Sequence, residues 1–173
     1  PQANGEALGE THPALHVEVI ALLMDFFGPL GLADRLELHV NSIGDAGTRP
    51  VYIAKLVAYL TPHPSELCGE CQARIDRNPL RVLDCKTPSC QPIIEKAPSI
   101  LESLSPEAAL HFDSVRRYLD AMGIGHRMDP RLVRGLDYYV RTTFEVLTTE
   151  LGAQNAVAGG GRYGGLIAQL GGG

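Results

Sequence analysis

Tryptophan is absent from these 173 residues, and aromatic side chains as a group make up only 6%. The adjacent pair Tyr138-Tyr139 therefore carries information. Long apolar runs are missing too. The longest spans residues 19–24, far short of the ~20 residues that a membrane-spanning helix needs. No basic stretch leading into an apolar one is visible, so no secretory signal pattern appears, and a cytoplasmic protein is expected. Positive charge is also short: 15 Lys and Arg against 20 Asp and Glu give a net charge of −5. That balance excludes a generally basic nucleic-acid coat but leaves room for a local basic face on an acidic body.

Glycine is abundant and unevenly placed: eight of the 19 lie in the last 15 residues, and the chain stops on three of them. A glycine-rich loop ordinarily connects two elements. With no initiator Met at Pro1, the expectation is a piece of a longer protein.

The apolar pattern places sheet elements at both ends and a helical block between them. Residues 2–8 read as a short strand ending at Gly9. A helix is expected from Pro13, with Leu15, Val19, Leu22, Phe26 and Leu30 as its buried face. Residues 36–40 alternate like a half-buried strand, and Asn41-Ser42-Ile43-Gly44-Asp45 is the loop that follows. Pro50 opens a helix carrying Ile53, Leu56, Val57 and Leu60, which Pro62 and Pro64 close. Ser105-Pro106 starts another, with Leu110, Val115, Leu119 and Met122 on one side and a stop at Gly123 and Gly125. Strands return over residues 138–146 and 156–161, and residues 162–170 suit a final short helix.

The run Leu132-Val133-Arg134-Gly135-Leu136-Asp137-Tyr138-Tyr139, followed by Arg141-Thr142-Thr143-Phe144-Glu145, is the most informative. Gly135 admits close approach to the backbone, and Arg134 offers a planar charged fork suited to carboxylate or phosphate. On a strand, Tyr139, Arg141, Thr143 and Glu145 would share one face, with Tyr138, Thr142, Phe144 and Val146 on the other. Spacing alone is equally consistent with an aromatic cluster beside a surface arginine that pairs with Asp137. In Gly159-Gly160-Gly161-Arg162-Tyr163-Gly164-Gly165, the three glycines before Arg-Tyr leave space for a ligand against bare backbone, or simply make a turn.

Together these runs resemble the histidyl-tRNA synthetases. Arg-Gly-Leu-Asp-Tyr-Tyr with a downstream Thr-x-Phe-Glu is similar to that family's histidine-specific motif, and Gly-Gly-Gly-Arg-Tyr-x-Gly-Leu to its next motif. Residues 41–45 and Asn78-Pro79-Leu80-Arg81-Val82-Leu83-Asp84 are similar as well. The resemblance implies an α+β fold: the antiparallel sheet flanked by helices of a class II synthetase catalytic core, incomplete here, with a mostly helical insertion. It divides the chain into a first part of the core at 1–45, the insertion at 46–125 and a second part of the core at 126–173. The implied activity is ATP-dependent conversion of L-histidine to histidyl-adenylate, with Mg2+, followed by transfer to tRNA(His).

Carried onto this sequence, the family pattern makes Arg134 the catalytic residue, stabilising charge on the α-phosphate while the histidine carboxylate attacks. Gln2 would meet the substrate amino group and Glu6 the imidazole. Tyr138, Tyr139 and Tyr163 would line or hold the remaining edges, with Gly159, Gly160 and Gly161 against the ligands. A neutral imidazole presents one donor and one acceptor, and a pocket that satisfies both rejects apolar isosteres. The family pattern has Asp where Gly164 stands and His where Pro1 stands. Its dimer-forming and ATP-gripping segments fall outside these residues, so this chain alone is expected to be inactive in adenylation, and the longer protein is expected to be a homodimer.

All four cysteines lie in the insertion as Cys68-x2-Cys71 and Cys85-x4-Cys90, a spacing that suits a structural zinc site or, alternatively, four reduced thiols. Arg74, Arg77, Arg81 and Lys86 among them are candidates to face an RNA backbone or simply a solvated helix face. Two other functions fit parts of the pattern. One is a non-catalytic histidine-binding relative, the regulatory subunit of ATP-phosphoribosyltransferase; the other is a zinc-stapled RNA-binding module.

Overall fold

A computed structural model describes residues 2–134, 138–148, 155–164, 166 and 171. Strands β1 (Leu36–Ser42), β2 (Arg127–Met128), β3 (Val140–Thr148) and β4 (Ala156–Arg162) form one sheet in the order β2-β1-β3-β4. The β1–β3 and β3–β4 pairs are antiparallel, as expected of the fold class. The short β2, absent from the sequence expectation, runs parallel to β1 at the edge. Five helices are described: α1 (Pro13–Phe27), α2 (Thr48–Leu60), α3 (Gly69–Arg77), α4 (Gln91–Glu95) and α5 (Pro106–Ala121). Most of the expected final helix lies outside the described residues.

Two apolar cores follow from this order. In the first, Val17, Ile20 and Phe27 of α1 and Phe112, Val115 and Leu119 of α5 cover Leu38, Val40, Phe144 and Val146 on one face of the sheet. In the second, Tyr52, Leu56 and Leu60 of α2 pack with Leu80, Val82, Leu83, Ile94 and Ile100 and with three of the cysteines. Ile43 and Val133 join this second core from the ends of the sheet segments, so the two cores meet at the loop after β1.

Several expected elements shift. Residues 2–8 enter no ladder: no described strand lies beside them, and Ala3, Asn4 and Gly5 add little strand preference. Helix α1 starts at Pro13 as expected, but Leu22, Phe26 and Leu30 are exposed, and the buried stripe is Val17, Ile20, Ala21 and Phe27. Apolar residues surround this helix almost completely, so a spacing of three and four fits two stripes equally well, and contact with both α5 and the sheet selects the second. In α5 the same contacts bury Ala108, His111 and Phe112 with Val115 and Leu119, and leave Leu110 and Met122 outside.

The loop after β1 is a capping device shared by two helices. Asp45 Oδ1 accepts from the Thr48 N–H and hydroxyl, each at 2.8 Å, at the start of α2. Its Oδ2 accepts at 2.6 Å from Ser105, whose hydroxyl oxygen in turn caps α5 through the Ala108 N–H. Gly44 has φ +70°, and a Cβ there would lie 2.4 Å from Thr48 Cγ2, so glycine is required at that corner. The Ser105 and Thr48 hydrogen bonds hold the Asp45 carboxyl down at about 2. Its contribution to stability is therefore complete above the ordinary value of 3.8 and is lost as the pH falls through about 2.

At the α1–α5 contact the rings of His16 and His111 meet edge-on, 4.8 Å between centroids. Burial drives His16 to about 3 and His111 to about 4, so both are neutral in the fold. An unfolded chain takes up those protons first, so stability should decline as the pH falls below the ordinary imidazole value of 6.5.

Two outcomes are expected in urea unfolding. Asp45→Ala costs about 1–2 kcal/mol, the range for loss of a helix cap. Between pH 7 and pH 5 the wild-type midpoint falls, and His111→Gln reduces that dependence; a midpoint flat over this interval would contradict neutral buried histidines.

Candidate active site

The site lies along β3 and β4, and it depends on how residues 132–139 are anchored. Leu132 and Val133 are buried, and the Leu132 carbonyl accepts from Asn41 Nδ2 at 2.9 Å inside the protein. The Tyr139 carbonyl accepts from Arg49 Nη1 at 3.1 Å, at the start of α2. The backbone of Arg141 exchanges hydrogen bonds with Ile43 and Gly44, at 2.8 and 2.7 Å. The loop at 41–45 thus fixes both the point where the chain delivers Arg134 and the entry to β3.

Arg134 Nη1 donates to Glu145 Oε1 at 2.8 Å, and its guanidinium carbon stands 5.6 Å from the centre of the Tyr139 ring. Glu145 lies opposite Gly159 in the ladder. A Cβ on Gly159 would come within 2.8 Å of Arg134 Nη1, so the arginine occupies space that any side chain would take. Gly160 and Gly161 are crowded in the same way: a Cβ on Gly160 would sit 2.7 Å from Phe144 Cζ, and one on Gly161 3.0 Å from Tyr139 Cδ1. The three glycines therefore let the protein's own arginine and aromatic rings close onto β4. The sequence alone left space for a ligand or a plain turn at these glycines; the structure describes them within β4.

Tyr138, Tyr139 and Tyr163 form one cluster. The first two rings are 4.9 Å apart, and each meets Tyr163 nearly perpendicularly at 6.1 and 6.2 Å. A hydrogen bond to the Glu6 carboxylate, followed by burial, pushes the Tyr163 hydroxyl up to about 12. Burial and the Tyr139 neighbour also raise Tyr138. The structure accordingly brings Glu6, Arg134, Tyr138, Tyr139, Tyr163, Gly159 and Gly161 together through these contacts. Gln2 is exposed and has no hydrogen bond among the described residues. Gly135 and Asp137 lie outside the described residues.

The simple strand alternation expected over residues 138–146 does not hold. Register slips between Val140 and Thr143, and Arg141 takes φ +57°. That left-handed residue and the bulge turn Arg141 toward α5, where it pairs with Glu107. Glu145, which the sequence places on one strand face with Tyr139 but not as a partner of Arg134, is the carboxylate that pairs with Arg134 among the described residues. Its signals in the sequence were the Thr-x-Phe-Glu pattern and its place six residues beyond Tyr139. Gly164 is exposed, and a Cβ there would make only ordinary contacts, 3.7 Å from Arg162 Nε, so an Asp is sterically admissible.

The four cysteines converge as well. Their sulfurs all lie within 4.8 Å of one another, and none is in a disulfide. Nearby, Arg77 and Lys86 are exposed, Lys86 lying 3.6 Å from Asp84, while Arg74 is held by Glu70 and by the Arg81 carbonyl.

The mixed four-stranded sheet flanked by helices matches the fold of a class II aminoacyl-tRNA synthetase catalytic domain. A crystal structure of apo histidyl-tRNA synthetase from S. aureus superposes with a TM-score of 0.71 at 36% identity, over 96% of this chain and 40% of that one. Histidine–tRNA ligases from Anaeromyxobacter sp. (strain K) and Moorella thermoacetica are each 54% identical over 171 residues, 99% of this chain. The chain is homologous throughout to the histidine–tRNA ligases, and it spans about two-fifths of the length of the curated relatives it matches. A Bacillus halodurans structure described as an ATP phosphoribosyltransferase regulatory subunit/histidyl-tRNA synthetase shares the fold, at a TM-score of 0.57 and 17% identity. No family model matches the chain.

Substitutions on β4 and beyond it separate the roles of its glycines. Gly160→Ala should cost about 1–3 kcal/mol in urea unfolding by overpacking against Phe144. Gly164→Ala should stay within about 0.5 kcal/mol of the parent. Equal effects would contradict the packing described.

Proposed function

We propose that this chain forms part of the catalytic domain of a histidine–tRNA ligase, activating L-histidine with ATP and passing the histidyl group to tRNA(His). The observation that carries this reading is the arginine site: Arg134, aimed by Glu145 and Tyr139 and seated over Gly159, beside a tyrosine cluster joined to Glu6. The 54% identity to histidine–tRNA ligases supports the same assignment.

Each residue has a task it can perform. Glu6 accepts the imidazole N–H and thereby selects one neutral tautomer. Its hydrogen bond with Tyr163 keeps the carboxylate oriented. Tyr139 and Tyr138 wall the ring and offer hydroxyls to its second nitrogen or to the substrate carboxylate. Gln2 lies on the same opening segment as Glu6 and meets the amino group when that segment is seated. Arg134 stabilises negative charge on the α-phosphate oxygens as the histidine carboxylate oxygen attacks phosphorus and pyrophosphate leaves. Mg2+, bound with ATP, supplies further charge neutralisation. No side chain acts as a nucleophile. Gly159, Gly160 and Gly161 bring β4 close enough for this arrangement to form.

The organisation follows the same reading: residues 1–45 and 126–173 contribute the core, and 46–125 form an insertion directed at the tRNA acceptor arm. Within the insertion α5 packs on the sheet, so the cysteine-bearing part is the portion free to reach RNA. Arg77 and Lys86 are its exposed cations for phosphate contacts. The complete protein acts as a cytoplasmic homodimer.

Histidine-dependent ATP–pyrophosphate exchange by the complete protein tests this function. Arg134→Ala should lower the exchange rate by about two to three powers of ten, the usual effect of losing a transition-state charge donor. Histidine binding without any exchange in the wild-type protein would instead indicate a catalytically silent relative.

A further inference from the structure

Outside the synthetase site, the most concentrated chemistry is the cysteine cluster of the second core. We propose that Cys68, Cys71, Cys85 and Cys90 bind one structural Zn2+ ion, independently of the histidine-site reading. Four Zn–S bonds of about 2.3 Å in a tetrahedron place the sulfurs about 3.8 Å apart. Cys68 Sγ and Cys85 Sγ are 3.9 Å apart, and all four sulfurs fall within 4.8 Å of one another. The spacing suits a single ion. A polynuclear iron–sulfur cluster would spread the thiolates more widely, because several metal ions and sulfides lie between them.

The chain brings the four together from three places. Cys68 caps α3 and Cys71 sits in its first turn; Cys85 follows the 3-10 turn Pro79–Val82, and Cys90 closes the turn Pro88–Cys90. Two backbone donors already point at sulfur: the Cys68 N–H at Cys90 Sγ, 3.2 Å, and the Thr87 N–H at Cys85 Sγ, 3.4 Å. Such donors offset the excess negative charge of a four-thiolate site. Cys71, Cys85 and Cys90 are buried and Cys68 half-buried. These thiols form no disulfide, and a metal ion would bond all four sulfurs at once.

The ion ties α3, the loop to Cys85 and α4 around Leu80, Val82 and Ile94, while the Arg134 site has its own anchors at Asn41 and Arg49. Metal loss should therefore loosen residues 67–94 and leave the sheet folded.

Elemental analysis of the purified chain, cobalt substitution and hydrogen exchange test this. The expected results are one zinc per chain and a cobalt form with the absorption of tetrahedral thiolate coordination. Cys71→Ser should fall to a tenth of the metal content or less, whereas Cys68→His retains it. A chelator should strip protection from 67–94 but not from β1 and β3. Should Cys71→Ser not fold, the wild-type cobalt spectrum decides alone. A folded chain that takes up no zinc or cobalt when reduced, or that carries an iron–sulfur chromophore, overturns the proposal.

Discussion

The candidate site depends on one ion pair held in a space that only glycine leaves open. Arg134 reaches Glu145 because Gly159, directly across the ladder, has no side chain. Tyr139 supports the guanidinium from its ring side, and Gly161 in turn lets Tyr139 approach β4. A flexible charged side chain is thus oriented before any ligand arrives, which is what electrostatic stabilisation of a transition state requires. Glu145 is also a competitor for the fork. A ligand must offer Arg134 more than one carboxylate does to displace it.

Everything behind that pair serves to hold it still. The loop from Asn41 to Asp45 secures Leu132, the backbone of Arg141 and the starts of α2 and α5. These anchors set where Arg134 emerges and where β3 begins. Ile43 and Val133 are where the segments flanking the sheet enter the second core.

What could be read from sequence followed the strength of each local signal. Helix α5 was marked by Ser105-Pro106 and ended by Gly123, and both signals held, because caps act through neighbouring backbone groups. The buried stripe of α1 was misjudged because nearly every side of that helix is apolar, and only its tertiary partners distinguish Val17 and Ile20 from Leu22 and Phe26. Motif similarity pointed to Arg134 and the tyrosines. It did not identify Glu145 as the partner, since pairing between Arg134 and a strand residue eleven positions on depends on the fold, and the bulge and left-handed Arg141 remove Arg141 from the shared face. The glycines were recognised as a place of close approach, but the approaching groups turned out to be Arg134, Phe144 and Tyr139.

Calorimetric titration of the purified chain with L-histidine and with histidinol, in wild type and Gly159→Ala, tests the central claim most directly. If Arg134 is aimed through the gap at Gly159 into a histidine pocket, wild type binds L-histidine, and the variant, although folded, binds it at least tenfold more weakly. Unchanged binding by a folded Gly159→Ala chain would show that the Arg134–Glu145 arrangement does not organise the pocket.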